Sequence, residues 1–272
     1  MKFLRLLTFL LAGLLSARSH ADTLVLVQGY LGNAGSWRAS GITAVLQKNG
    51  WFDAGHLAAT PLGVVEWKRS RGEHDRFYTI MLPTEAPVDV QAGFLATYLR
   101  RITGKYGDEA IILVGHSAGG VVARTAMVSY PDVKVSTLVT IASPNHGTQL
   151  AERGLSVSNS PVGFFAPVFG AATLNRSRAL YANLVRERPG SFLNWLNTRK
   201  HPKARYVAVV RALPSGIYGD DVVPGWSQEL RGIYGLRGHN VSTFISPGAH
   251  GLSIIDGMTI MRIIGTRAVS GH

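Results

Sequence analysis

The sequence predicts an α/β domain whose central, mostly parallel sheet is covered by helices on both faces. Three observations predict it: short β-branched runs that are apolar along their whole length, helical periodicities between them, and Gly or Pro at most changeovers. Strands buried on both faces read as unbroken apolar runs, and parallel neighbours need a helical crossover. Thr23 to Val27 is the first such run, ending at Gln28-Gly29, and Trp37 to Lys48 follows with helical spacing. Arg76 to Leu82 is the next strand. A helix from Asp89 to Tyr106 then sets Val90, Phe94, Leu95, Tyr98, Leu99 and Ile102 on one face. Ala110 to Val114 runs into Gly115, and Val121 to Val128 reads as a further helix. Leu138 to Ala142 and Tyr206 to Val210 are later buried-type strands, with a weaker one from Ser242 to Ile245.

The 272 residues fit one large domain with a substantial core. With no cysteine, the chain has no disulfide framework, no Cys-based metal site and no thiol nucleophile, so covalent catalysis must run through oxygen or nitrogen. The first residues have another purpose. Met1-Lys2-Phe3-Leu4-Arg5 is a short basic start, Leu6 to Leu15 is apolar, and Ser19-His20-Ala21 puts small residues three and one before a cut. The reading is a signal peptide over 1–21 and a catalytic domain over 22–272, secreted or periplasmic. The apolar run is too short to span a bilayer, and no later stretch approaches ~20 unbroken apolar residues, so no integral membrane segment is expected.

Removing Lys2, Arg5 and Arg18 with the leader lowers the net charge from +12 to +9. The densest basic pieces, Lys68-Arg69-Ser70-Arg71 and Arg199-Lys200-His201-Pro202-Lys203, lie in polar, turn-rich stretches and match no nucleic-acid motif. No nucleic-acid partner is expected. Attraction to an anionic envelope or lipid surface is the remaining role for the charge.

No repeat, heptad or low-complexity tract is present, but one stretch breaks the strand–helix rhythm. Pro161 to Gly170 is strongly apolar yet punctuated by Pro and Gly, and Ser177 to Thr198 looks helical. An apolar insertion of this length, about 151–200, reads as a lid or cap beside a site.

The chemistry centres on Ile111-Ile112-Leu113-Val114-Gly115-His116-Ser117-Ala118-Gly119-Gly120. A bare G-x-S-x-G is weak evidence, but this one sits between a β-branched strand and an apolar helix. A strand turning sharply into a helix lifts the serine to a crest, and the helix N-terminus offers N–H groups and a positive dipole end to an oxyanion. Ser117 is therefore the candidate nucleophile. A serine hydroxyl needs a base, and the base needs an orienting carboxylate; in a strand–elbow–helix site these follow in the order acid, then histidine. Gly219-Asp220-Asp221-Val222-Val223-Pro224 follows one late strand and Ala249-His250-Gly251 another, which gives Ser117, Asp220 and His250 as the triad. Ala118 supplies one oxyanion N–H as the residue after the nucleophile. Among competing histidines, His116 is the variable elbow residue and His146 braces a turn. His239 lies at the wrong end of its strand, and His56, His74 and His201 sit in loops without a matching context.

GHSAGG, Thr140 to Thr148 (TIASPNHGT), DDVVP and GAHGL together resemble the motifs of secreted bacterial lipases and esterases of the α/β-hydrolase superfamily, over essentially all of the chain after the leader. The resemblance implies the α/β-hydrolase fold with a lid or cap. It points to Asp220, four residues before Pro224, as the acid and Asp221 as its neighbour, with the reverse assignment left open. It makes Tyr30 the second oxyanion donor, although Gln28 departs from the histidine usual there. It implies a serine carboxylic-ester hydrolase, a lipase on medium- to long-chain acyl esters of the triacylglycerol type, its partner a hydrophobic ester at a lipid–water interface. A short-chain esterase or polyester depolymerase would use the same triad, and a non-catalytic envelope-binding protein would use the same fold. Some relatives hold a structural calcium near these loops, which draws attention to Asp221 and Asp256. Asp256 reads more simply as a helix residue, and no metal or other cofactor is expected.

Overall fold

In a computed structural model of the protein, residues 21–68, 74–107, 109–158 and 172–265 are described. The expected leader, apart from Ala21, and the apolar stretch from Pro161 to Gly170 lie outside these residues. The first strand, β1 (Thr23–Val27), shows how an unbroken apolar run builds two cores. All five residues are buried, with Val25 and Val27 packing into one cluster and Leu24 and Leu26 into the other.

Helices α1 (Ser36–Ala39) and α2 (Ile42–Lys48) follow, separated at Gly41, whose φ of 80° breaks the predicted single helix. Then come β2 (Phe52–Thr60), β3 (Gly63–Glu66), β4 (Arg76–Ile80) and the long α3 (Val88–Tyr106). Next are β5 (Ile111–His116), α4 (Ala118–Ser129), β6 (Val135–Ile141) and α5 (Gln149–Ser158). Helices α6 (Ala172–Arg176), α7 (Arg178–Leu184) and α8 (Phe192–Thr198) lead to β7 (Arg205–Ala212), the single turn α9 (Gly225–Gln228), β8 (Asn240–Pro247) and α10 (Ile254–Gly265).

The described strands form one sheet in the order β3-β2-β4-β1-β5-β6-β7-β8, parallel except where β3 pairs antiparallel with β2. On one face α3 and α4 supply Leu95, Leu99, Val122 and Met127; on the other, α1, α2 and α10 supply Trp37, Ile42, Leu46, Ile260 and Ile263. The chain leaves β1 toward one edge of the sheet and leaves its neighbour β5 toward the other. Such a reversal opens a crevice at the carboxyl ends of the two strands, because their exit loops diverge. The loops after β1 and β5 flank that crevice, and those after β7 and β8 lie along the same edge. Among the described residues, no helix is long and apolar enough to cross a membrane.

Three further differences from the sequence reading have physical reasons. The hairpin β2–β3 has no counterpart in the sequence reading, because FDAGHLAAT is poor in β-branched residues and Gly55, at φ 90°, shifts its register. Within α3, Val90 and Phe94 are exposed, while Gln91 is buried with its amide donating to the Ala86 carbonyl at 2.7 Å. The stretch 177–198 is two helices, α7 and α8, divided at Arg188-Pro189-Gly190.

A polar network is sealed between α4, α8 and the loop after β6. The fully buried Arg124 donates to Asn145 Oδ1 at 3.2 Å, to Asn197 Oδ1 at 2.6 Å and to His201 Nε2 at 3.2 Å. Burial lowers the Arg124 guanidinium to about 10, which keeps it charged at neutral pH. His201 accepts from Arg124, so its remaining proton sits on Nδ1 and is donated to the Arg199 carbonyl at 2.9 Å. Burial first, and the Arg124 charge second, push this imidazole down to about 3.

The unfolded chain therefore holds a proton on His201, between about pH 3 and the ordinary histidine value of about 6.5, that the folded chain does not. Stability is expected to rise with pH across that window, with this residue contributing about 1.4 kcal/mol per pH unit. Urea denaturation of the wild type and His201→Gln at several pH values should show a shallower slope in the variant; equal slopes would contradict it.

Candidate active site

Ser117 occupies a strained turn, φ 51° and ψ −130°, between β5 and α4. Its N–H donates to the Ile141 carbonyl of β6 at 2.8 Å, which ties the crest to the neighbouring strand. The glycines of GHSAGG answer to close packing. A Cβ on Gly119 would fall 2.4 Å from the Gln28 carbonyl oxygen, and one on Gly120 would fall 2.1 Å from Ser143 Oγ. The first turn of α4 is thereby pressed against the end of β1.

The structure brings Ser117, His250 and Asp220 into one hydrogen-bonded chain. His250 Nδ1 lies 3.0 Å from Asp220 Oδ2, and Nε2 lies 2.9 Å from Ser117 Oγ. A carboxylate can only accept, so Nδ1 carries the proton and Nε2 is left to accept from the serine hydroxyl. Of the two adjacent aspartates it is Asp220, 8% exposed, that meets the imidazole; Asp221 is exposed. Asp220 Oδ1 accepts from the N–H groups of Val222 at 2.9 Å and Val223 at 2.7 Å. Burial works to raise its carboxyl, but the His250 hydrogen bond and charge, with these two backbone N–H groups, outweigh that and hold it below the ordinary value. The acid loop can fold this tightly because Gly219 sits at φ 115°, where a Cβ would be 2.3 Å from Gly225 N.

His250 follows β8 and is fastened from two directions. His116, inside the elbow, donates from Nε2 to the His250 carbonyl at 2.8 Å, with the two rings 5.2 Å apart. Burial, reinforced by the nearby His250, lowers the His116 imidazole to about 4, so it is neutral at physiological pH. From behind, Arg211 at the end of β7 donates to the Gly251 carbonyl at 3.0 Å and pairs with both oxygens of Asp256, at 2.6 and 3.0 Å. Arg211 and Asp256 are almost wholly excluded from solvent. Asp256 is indeed a helix residue: in the first turn of α10 it accepts from the Ser253 N–H at 2.8 Å, as an acidic N3 side chain does.

The two expected oxyanion donors, Tyr30 and Ala118, flank the serine. Gly29 and Gly32 close a tight turn after β1 with a 3.0 Å hydrogen bond, and Gly29 lies so near the elbow that a Cβ there would be 2.8 Å from Ser117 Cβ. Ala118 begins α4, where N–H groups have no partner within the helix. The Tyr30 ring meets Tyr181 of α7 edge-on, hydroxyl to hydroxyl at 2.6 Å. Beside Ser117 opens an apolar cavity of about 260 Å³, walled by Tyr30, Leu150, Leu180, Tyr181, Leu184 and Val222.

The other histidines lie elsewhere. His146 Nδ1 is 2.6 Å from Glu187 Oε2, His56 stacks on Trp67, and His239 packs edge-on against Tyr206. His74 is exposed. Among the described residues, no three His, Asp or Glu side chains are grouped to hold a metal ion. Sequence reasoning missed Arg211, Gln228 and Tyr181. A charge at the end of the apolar run YVAVVRA was a legible signal for Arg211, since it demands a buried partner; Gln228 and Tyr181 carry none.

A PGAP1-like alpha/beta domain matches residues 68–159, a stretch that contains the elbow. No curated protein matches the sequence. Several solved structures match along most of their length. A Listeria innocua gene product superposes with a TM-score of 0.62 at 17% identity, over 90% of this chain and 92% of the other. The mature form of the Bacillus licheniformis lipase BlEst2 gives 0.56 at 18%, covering 91% and 92%. The RedJ thioesterase of Streptomyces coelicolor gives 0.52 at 14%, covering 91% and 86%. With its sheet order and strand–elbow–helix turn, the chain has the α/β-hydrolase fold, with a mostly parallel sheet and helices on both faces.

Removing one partner of a buried ion pair strands the other charge, which costs about 3–5 kcal/mol. Asp256→Ala should therefore lower the unfolding free energy by that amount in urea denaturation; a loss of less than about 1 kcal/mol would show that Arg211 finds its stabilisation elsewhere.

Proposed function

We propose that the protein is an exported serine ester hydrolase, a lipase acting on medium- to long-chain acyl esters. The observation that carries the reading is the unbroken hydrogen-bonded line from Ser117 Oγ through His250 to Asp220, set at the mouth of an apolar cavity. His250 takes the Ser117 proton as the oxygen attacks the ester carbonyl. The N–H groups of Tyr30 and Ala118 receive the oxyanion, and His250 then protonates the departing alcohol. Water, deprotonated by the same imidazole, releases the acid and restores the serine. Asp220 keeps the imidazole in the tautomer that leaves Nε2 free to accept, and its charge offsets the imidazolium that forms. In this reading no cofactor takes part.

The acyl chain would lie in the cavity beside Ser117, where Leu150, Leu180, Leu184 and Val222 offer only hydrocarbon. Each methylene buried there gains about 0.8 kcal/mol, which favours a chain over an acetyl group. The insertion over about 151–200, with its apolar stretch from Val162 to Phe169, is the part proposed as a lid. Export rests on the leader over 1–21, and the positive charge favours an anionic lipid surface.

Ser117→Ala should reduce hydrolysis of p-nitrophenyl esters by at least about 10⁴-fold with an unchanged circular dichroism spectrum. Retained turnover would end the assignment. Asp220→Asn should lose about 10³–10⁴-fold while Asp221→Asn stays near wild type; the reverse would exchange their roles. Rates should rise from acetate to octanoate and further on emulsions, whereas a preference for soluble acetate would make the protein a plain esterase.

A further inference from the structure

We propose that Gln228 is a positioning residue for the acid of the triad, its side-chain amide fixing the Asp220 carboxylate so that Oδ2 faces His250. The proposal rests on the hydrolase reading above and adds a residue to it.

Gln228 ends α9, eight residues after Asp220, and is fully buried. Its Nε2 donates to Asp220 Oδ2 at 3.0 Å and to the Val223 carbonyl at 2.7 Å, and its Oε1 accepts from the Arg211 N–H at 2.8 Å. Turning the amide over would set its oxygen against two acceptors and its nitrogen against a donor, so only one orientation is possible. The backbone carbonyl of Gln228 accepts from Asn145 Nδ2 at 2.9 Å, which fixes the turn from which the side chain projects.

The consequence falls on the carboxylate. Each oxygen of Asp220 has two donors: Val222 and Val223 on Oδ1, Gln228 and His250 on Oδ2. A carboxylate filled in this way cannot swing when the imidazole changes charge, and no other side chain supplies the second donor on Oδ2 among the described residues. The amide dipole also shares the negative charge that Oδ2 directs at His250. Without it, that oxygen would bind the imidazolium more strongly and hold the proton that must pass to the leaving alcohol. The other titratable or charged groups around His250 are His116 on the elbow, and Arg211 and Asp256 behind the histidine loop. Gln228 reaches none of their side chains; it meets Arg211 only at the backbone N–H.

The test compares wild type with Gln228→Met, which keeps the length and removes the amide, and Gln228→Leu, which removes the amide in a smaller apolar side chain. The Leu variant carries the test if the Met variant fails to fold. Losing one hydrogen bond to a charged group in the transition state should lower kcat by about 10- to 100-fold with KM within about twofold. The acidic limb of kcat/KM should move to higher pH. By proton NMR without substrate, the His250 Nδ1–H resonance should move downfield as its bond to Asp220 tightens. Unchanged kcat, or a lower kcat with both the limb and the resonance unmoved, would overturn the proposal and leave Gln228 as packing. If the wild type hydrolyses no ester, the reading of function falls, while an Nδ1–H shift in the variants would still show Gln228 acting on the pair.

Discussion

A serine held at φ 51° is the constraint to which the rest of the molecule answers. Left to itself that backbone costs roughly 1–3 kcal/mol, so it persists only where its surroundings over-determine it. Here they do so from three sides: the N–H of Ser117 is tied to β6, Gly119 lies on the last carbonyls of β1, and Gly120 lies on Ser143. These contacts fix the spacing of β1, β5 and β6 at their carboxyl ends. They also decide where the oxyanion loop can run and which residues can be tolerated beside the serine.

Around that crest, loops far apart in sequence are joined by side-chain hydrogen bonds and a buried ion pair, in a chain with no cysteine. Arg211 touches both loops that bear on the serine. Its backbone N–H meets Gln228 behind Asp220, and its guanidinium holds the carbonyl of Gly251 next to His250. Arg124 has a similar place beside α8, gathering Asn145, Asn197 and His201, with no carboxylate among its hydrogen-bond partners in the described residues. Both arginines are buried charges, acceptable because fixed dipoles or an opposite charge face them.

Much of this was legible in the sequence. Runs such as TLVLV and IILV fall in central strands because both of their faces are buried, which makes apolarity continuous and easy to read. The elbow was legible because its glycines are forced by close backbone approach, a demand that few other residues meet. The β2–β3 hairpin was not, since β3 is an edge strand with one partner and β2 beside it is exposed at both ends, so few packing requirements set their sequence. The Asp220–His250 contact followed from the order of loops along one sheet edge. The amide of Gln228 and the hydroxyl of Tyr181 did not: each acts through a single polar atom at a place the fold alone determines, and neither leaves a period or motif.

The hydroxyl bond between Tyr30 and Tyr181 joins the turn that carries a proposed oxyanion donor to helix α7. Moving α7 away breaks that bond and removes a wall of the apolar cavity in the same motion. The position of the helix and the order of the turn therefore share one free energy, and such coupling is reciprocal. Whatever steadies the turn, a developing negative charge included, also holds α7 in place. An occupant that packs against Tyr181 steadies, in return, the N–H that would meet the oxyanion.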